Sequence, residues 1–176
     1  PGVGLLNEWV QEMSNLPHDL DGKVAQAGTP DPALIESALA GPFFTRPLPK
    51  GAGRDDFEHI DVSGLNAEDG AATLAHITIE AFVRAARQLP SLPDVVWVTG
   101  RGSRNAVFCE LLAKSFAEVK SVSDRGRAPS AVQADCYAWL AVRHLHRLPI
   151  TTPETTGCRS ADCAGAITKA AIETCL

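Results

Sequence analysis

Aromatic residues are scarce in this 176-residue chain: three tryptophans, one tyrosine and six phenylalanines, 6% in all. No basic run interleaves with them, so a stacking, phosphate-neutralising surface for nucleic acid is not expected. No apolar stretch approaches the roughly 20 residues that a bilayer-spanning helix needs, and no membrane role is expected. Cysteines number five (Cys109, Cys136, Cys158, Cys163 and Cys175), with no CxxC pair and no Asn-x-Ser/Thr acceptor anywhere. An odd, unpaired set argues against a disulfide framework and for a reducing, cytoplasmic setting. The five histidines show no ligand spacing with these thiols, and His144 and His146, two apart on a helix, point to different faces. No metal site is assigned. The chain opens on Pro1 with no charged, apolar leader, which reads as a processed protein or a piece of a longer one.

What is present suits a single globular unit. Hydrophobic residues make up 45% and charged residues 21%, enough for a core and too apolar for disorder. The net charge of −5 is unevenly spread: residues 1–80 carry 13 acidic and 4 basic side chains, residues 81–176 carry 8 and 12. The basic charges stand singly along helical stretches, so a solvated face is the simpler reading of them.

Periodicity places the elements. Leu5, Leu6, Trp9, Val10 and Met13 predict a first amphipathic helix, and Asn15 to Pro30 reads as polar turn around Asp19, Asp21 and Gly22. Asp31-Pro32 starts a second helix through Leu34, Ile35, Ala38 and Leu39. Residues 41–64, with three prolines and four glycines, read as a long loop. Asn66 and Asp69 open a third helix with Leu74, Ile77, Thr78, Ala81, Phe82 and Ala85 inward. Asp94 to Thr99 is a continuous apolar run, expected as a strand buried on both faces. A glycine turn, a helix through Val107, Phe108, Leu111, Leu112 and Phe116, and a strand from Val119 to Ser123 complete a βαβ unit with parallel strands. A long helix from Pro129 to Leu148 follows, with Ala134, Tyr137, Ala138, Ala141 and Leu145 expected inward. The alanine-rich end of the tail is left unassigned.

Chemistry concentrates in two places. In Thr99-Gly100-Arg101-Gly102-Ser103-Arg104-Asn105, glycines after a buried strand let backbone N–H groups approach a ligand, and the next helix's N-terminus favours an anion. A tight strand-to-helix turn explains the same residues. The dinucleotide fingerprint fails because Asn105 stands at its third glycine, and no phosphate-loop Lys-Ser/Thr follows. A dinucleotide-dependent oxidoreductase therefore has only the βαβ unit in its favour. Lys50-Gly51-Ala52-Gly53-Arg54 offers two cations around two glycines, suited to a phosphate or carboxylate and equally to solvated loop charge.

Six segments, in order, resemble the C-terminal half of the anhydro-N-acetylmuramic acid kinase family, with levoglucosan kinase a similar relative. Pro1-Gly2-Val3-Gly4-Leu5-Leu6-Asn7-Glu8-Trp9 is similar to the family's PGNxLLDxW, and Asp19-Leu20-Asp21-Gly22 with Ala25 to its DxDGxxA turn. Phe43-Phe44 and Pro47 to Phe57 resemble its aromatic pair and PPPKSTGRExF loop. Val98 to Asn105 resembles its GGGxxN nucleotide turn, Gln133 to Ala141 its EAxAFAWLA helix, and Leu148-Pro149 to Thr156-Gly157 its LP…TG close.

The resemblance implies an α/β, actin-like (sugar-kinase, RNase H-like) C-terminal lobe, a mixed sheet with flanking helices. Residues 1–62 would be a helical and loop segment, and 63–176 the βαβ nucleotide-side core. It implies ATP-dependent opening and 6-phosphorylation of a 1,6-anhydro sugar, with ATP and magnesium. Nucleotide contacts fall on Thr99, Gly100, Arg101, Gly102 and Asn105, and sugar or lobe contacts on Lys50, Arg54 and Gln133. No catalytic residue falls in this segment, because the general base and phosphate loop belong to the family's first lobe. That lobe and a second copy are the implied partners. Arg101 at the middle glycine, Gln133 at a glutamate, Ser130 at an aspartate, Val3 at an asparagine and Gly51-Ala52 at Ser-Thr depart from the pattern. They admit the alternative of a non-catalytic paralogue serving as a binding or scaffold module.

Overall fold

A computed structural model describes residues 2–53 and 55–168. Helix α1 (Gly4–Ser14) buries Leu6, Trp9 and Val10 and leaves Met13 exposed. The polar stretch after it is more than a turn. A 3-10 turn at Leu20–Gly22 leads into α2 (Lys23–Ala27). Five residues carry no readable period, and the carboxylate of Asp19 supports the helix from outside by accepting the amides of Val24 (2.8 Å) and Ala25 (3.3 Å). Helix α3 (Pro32–Leu39) starts as the sequence indicates, with the Asp31 carboxylate accepting from Ala33 and Leu34 and proline in the first turn. The long loop holds a one-turn helix, α4 (Pro42–Thr45), and a 3-10 turn at Asp55–Phe57.

Helix α5 (Ala67–Ala86) opens at Asn66, whose side chain accepts the Asp69 amide. Its buried surface is wider than the expected stripe. Residues 70–75 are all buried with Ile77, Ile79, Val83 and Ala86, whereas Phe82 is exposed. The reason is position: α1, α2 and α3 all pack on α5, so a one-sided pattern understates what it must cover.

Strand β1 (Val95–Val98), helix α6 (Ala106–Ser115) and strand β2 (Glu118–Ser121) form the βαβ unit, and α6 also packs on α5. The strands are parallel, with Val96 beside Val119 and Trp97 beside Lys120. Among the described residues the sheet has these two strands only, so it is parallel and not mixed. β1 is covered on one face: Val96 is buried, while Trp97 is half-exposed beneath the Arg125 guanidinium, 4.3 Å from its ring centre. β2 ends at Ser121, which caps a 3-10 turn at Val122–Arg125 in place of continuing to Ser123.

Helix α7 (Val132–Leu145) is shorter than expected and buries none of its residues. Tyr137 and Leu145, expected inward, are 63% and 65% exposed. An amphipathic face needs an opposing element, and no described helix or strand packs closely on this one, which only Ile150 and the stretch 164–167 border. A one-turn helix, α8 (Pro153–Thr156), is the last helix among the described residues. The alanine-rich end from residue 169 lies outside the described residues, as does Arg54. Among the described residues no helix is long and apolar enough to cross a membrane.

Candidate functional site

The βαβ unit turns its strand-to-helix connection toward the aromatic loop, and a cleft of about 990 Å³ lies between them. Phe43, Phe44 and Phe57 form one wall, the end of β1 with Gly100 to Ser103 the other, and Gln133 of α7 enters at the rim. Lys50, Thr99, Gly100, Arg101, Gly102 and Gln133 are thereby brought to one cavity from distant parts of the chain. Lys50 and Arg101 are the charged groups that line it among the described residues. A protein of net charge −5 thus presents a cleft that no carboxylate of the described residues lines, which suits an anion. The same observation counts against a divalent cation held by this chain, since magnesium is ordinarily carried by one or two carboxylates. No cluster of metal-ligating side chains occurs among the described residues. Magnesium does not fit what is here.

Each side of the cleft is built by local bonds. Gly100 has φ +71° and ψ −167°, a conformation that only glycine adopts without strain. Its amide donates to the Pro129 carbonyl (3.0 Å), and the Thr99 hydroxyl donates to the same oxygen (3.1 Å). Ser103 closes the turn through its amide and hydroxyl to the Gly100 carbonyl (3.3 and 2.7 Å). The amides of Arg101 and Gly102 open the 3-10 turn at Arg101–Arg104 and so have no acceptor within it. Arg101 is exposed and forms no ion pair among the described residues. A Cβ on Gly102 would stand 3.3 Å from Phe108 and from Val3, so a side chain there would crowd both.

Asn105 sits elsewhere. It is 4% exposed and does not line the cleft. Its Oδ1 accepts the Phe108 amide (3.1 Å) as the N-cap of α6, and its Nδ2 donates to Asp19 (3.4 Å). The first turn of α6 is therefore already capped by the protein itself.

Lys50 is committed to the loop. Its ammonium donates to the carbonyls of Phe43 (3.0 Å), Phe44 (3.2 Å) and Arg46 (3.0 Å), which uses all three protons. The ammonium also stands 4.8 Å from the centre of the Phe43 ring. Burial, then the charge of Arg46, lowers its pKa from the ordinary value. Lys50 thus holds the aromatic wall in shape, with Phe43 edge-on to Phe44 and Phe57 at 5.4 and 5.2 Å. Sequence reasoning missed this clamp and the Asp19–Asn105 bond. The clamp left no signal, since its acceptors are backbone carbonyls. The bond left a faint one, an Asp-x-Asp-Gly turn without another purpose.

Comparison with known proteins agrees with the family resemblance. A sequence profile described as anhydro-N-acetylmuramic acid kinase matches residues 1–170. The anhydro-N-acetylmuramic acid kinase of Methylobacterium nodulans is 41% identical over 170 residues, 96% of this chain and 45% of that protein. Those of Acidiphilium cryptum and Mesorhizobium japonicum are 40% and 39% identical, each over 89% of this chain and 44% and 43% of their own lengths. The chain spans less than half the length of these relatives. On that match the chain belongs to the anhydro-N-acetylmuramic acid kinase family.

Proposed function

We propose that this chain acts as the C-terminal lobe of an ATP-dependent kinase of 1,6-anhydro sugars, in an actin-like, sugar-kinase fold. The observation that carries the reading is the cleft: a glycine turn with free amides, two cations, an aromatic wall and, among the described residues, no carboxylate. Arg101 offers a fork of N–H donors suited to phosphate oxygens. Gly100 and Gly102 allow a phosphate to approach the backbone closely. Phe43 and Phe57 give a ring, of base or sugar, an apolar surface.

In the proposed reaction the γ-phosphoryl group passes from ATP to the sugar's 6-oxygen. The bond from C1 to that oxygen breaks, and the oxygen of a water molecule takes its place on C1, leaving ADP and a 6-phosphosugar. The family's base, which would take the water's proton, belongs to the other lobe. This chain's share is positioning, which supplies much of the rate in phosphoryl transfer. The uncovered side of α7, with Tyr137, Trp139 and Leu145 exposed, supports an N-terminal lobe, or a second copy, as the partner that covers it. A cytoplasmic setting goes with this reading. The sugar is anhydro-N-acetylmuramic acid, with levoglucosan the alternative.

The test is a coupled ADP-release assay with each sugar. This chain alone is expected to give background turnover. Joined behind the part of the Methylobacterium nodulans relative that it does not match, it is expected to turn over anhydro-N-acetylmuramic acid. A folded chimera that binds ATP and turns over neither sugar would contradict the kinase reading. It would favour a non-catalytic binding or scaffold module, for which Gln133 at the cleft rim is the supporting observation.

A further inference from the structure

Two turns far apart in sequence are interlocked behind the cleft. The first is Asp19 to Gly22, and the second runs from Gly100 to Asn105. Asp19 is 7% exposed and Asn105 4%. One carboxylate oxygen of Asp19 accepts the Val24 amide, while the other accepts the Ala25 amide and the Asn105 side-chain N–H at 3.4 Å. Asn105 in turn accepts the Phe108 amide through Oδ1, which fixes its amide orientation so that Nδ2 faces Asp19. Gly22 makes the approach sterically possible: a Cβ there would stand 2.6 Å from Asn105 Oδ1 and 2.9 Å from the Ala106 amide nitrogen. A salt bridge from Arg104 to Asp21 (3.3 Å) joins the same two turns at the surface, where such pairs contribute little.

We infer that Asp19 is a positioning residue for the anion-facing turn. Its buried carboxylate holds Asn105, and Asn105 anchors the 3-10 turn that carries Arg101 and Gly102. The inference rests on the nucleotide reading only for its functional consequence. A buried carboxylate in a two-acceptor, three-donor arrangement is costly to replace, because each amide left unpaired loses its partner away from water. Asp19→Asn keeps the shape but turns one acceptor into a donor, which then faces the amide of Val24 or those of Ala25 and Asn105. The reciprocal exchange, Asp19→Asn with Asn105→Asp, restores an N–H to carboxylate bond across the junction. It also keeps a good N-cap on α6, since Asp caps as well as Asn. Asn105→Ser likewise keeps the cap but is too short to reach Asp19.

Hydrogen exchange read residue by residue decides this without any ligand. In Asp19→Asn and in Asn105→Ser, exchange of the amides from 103 to 109 is expected to rise at least tenfold. Exchange within α3 should stay at the wild-type rate. The reciprocal double variant should recover most of the protection at residues 103–109. Unchanged exchange in the single variants overturns the inference, as does a rise shared equally by α3. Should Asp19→Asn fail to fold, Asn105→Ser carries the test by itself. ADP titration is the second readout: affinity about tenfold weaker in both single variants, recovering in the double variant, supports the positioning role. Wild-type protein that fails to bind ADP counts against the nucleotide reading, and exchange still decides the role of Asp19.

Discussion

The indole of Trp9 lies against the backbone of Gly70, with its N–H donating to the Ala67 carbonyl at 2.9 Å. A Cβ on Gly70 would fall 2.4 Å from the ring. The contact joins α1 to the first turns of α5 and sets where the chain begins its approach to the cleft. Gly70→Ala should therefore destabilise the fold by about 1–3 kcal/mol through overpacking, despite the helix preference of alanine over glycine of up to about 1 kcal/mol. Gly64→Ala, where a Cβ meets open space, is the control and should stay within about 0.5 kcal/mol. Urea unfolding of both variants reads the difference. Equal midpoints would show that α1 tolerates displacement.

Lys50 gives a second prediction. Lys50→Met removes the three bonds to Phe43, Phe44 and Arg46 while keeping an apolar stem. Stability is expected to fall by about 1 kcal/mol, the typical scale for partly solvated hydrogen bonds. Limited proteolysis between residues 43 and 53 should accelerate several-fold. Cleavage at the wild-type rate would mean that the aromatic cluster holds the loop without the clamp.

A pH effect follows from His76 on α5. Burial, then the nearby charge of Lys114 on α6, lowers its pKa below the ordinary 6.5, against an opposing pull from Glu110. The unfolded chain therefore binds the proton more readily than the folded one. The His76 contribution to stability is fully present above about pH 6.5 and is lost as the pH falls through the lowered folded value. Thermal melts of wild type and His76→Gln from about pH 7.5 to about pH 5 should diverge on the acid side, with the wild type losing more. Parallel curves would remove His76 as the source.

Legibility followed the range of the interactions. Two helix starts were readable because Asp31 and Asn66 bond amides two or three residues on, within a window that sequence displays; the same role for Asn105 at the start of α6 was not read, because its turn also suited a nucleotide. The βαβ unit was readable from one apolar run and one glycine turn. The cover over that run was not: the strand expected to be buried on both faces leaves Trp97 only half-buried. What covers a residue is another element, and β1 has a covering layer on one face only. The cleft was legible as residue types at two loops. Its assembly, and the commitment of Lys50 and Asn105 to internal bonds, depends on contacts up to 86 positions apart.

The central claim is that the cleft beside Gly100 holds the phosphates of a nucleotide, and Arg101 is its cleanest probe. A side chain on Gly102 meets Phe108 and Val3, and Gly100 needs its own backbone conformation, so changes at either glycine disturb the fold. Arg101 is exposed, forms no ion pair among the described residues and lines the cavity. Calorimetric titration of ATP into the wild-type chain and into Arg101→Ala is the direct measurement. Saturable wild-type binding that weakens about tenfold in the variant, about 1.4 kcal/mol, is the predicted result. No wild-type binding, or equal affinity in the two proteins, would contradict it.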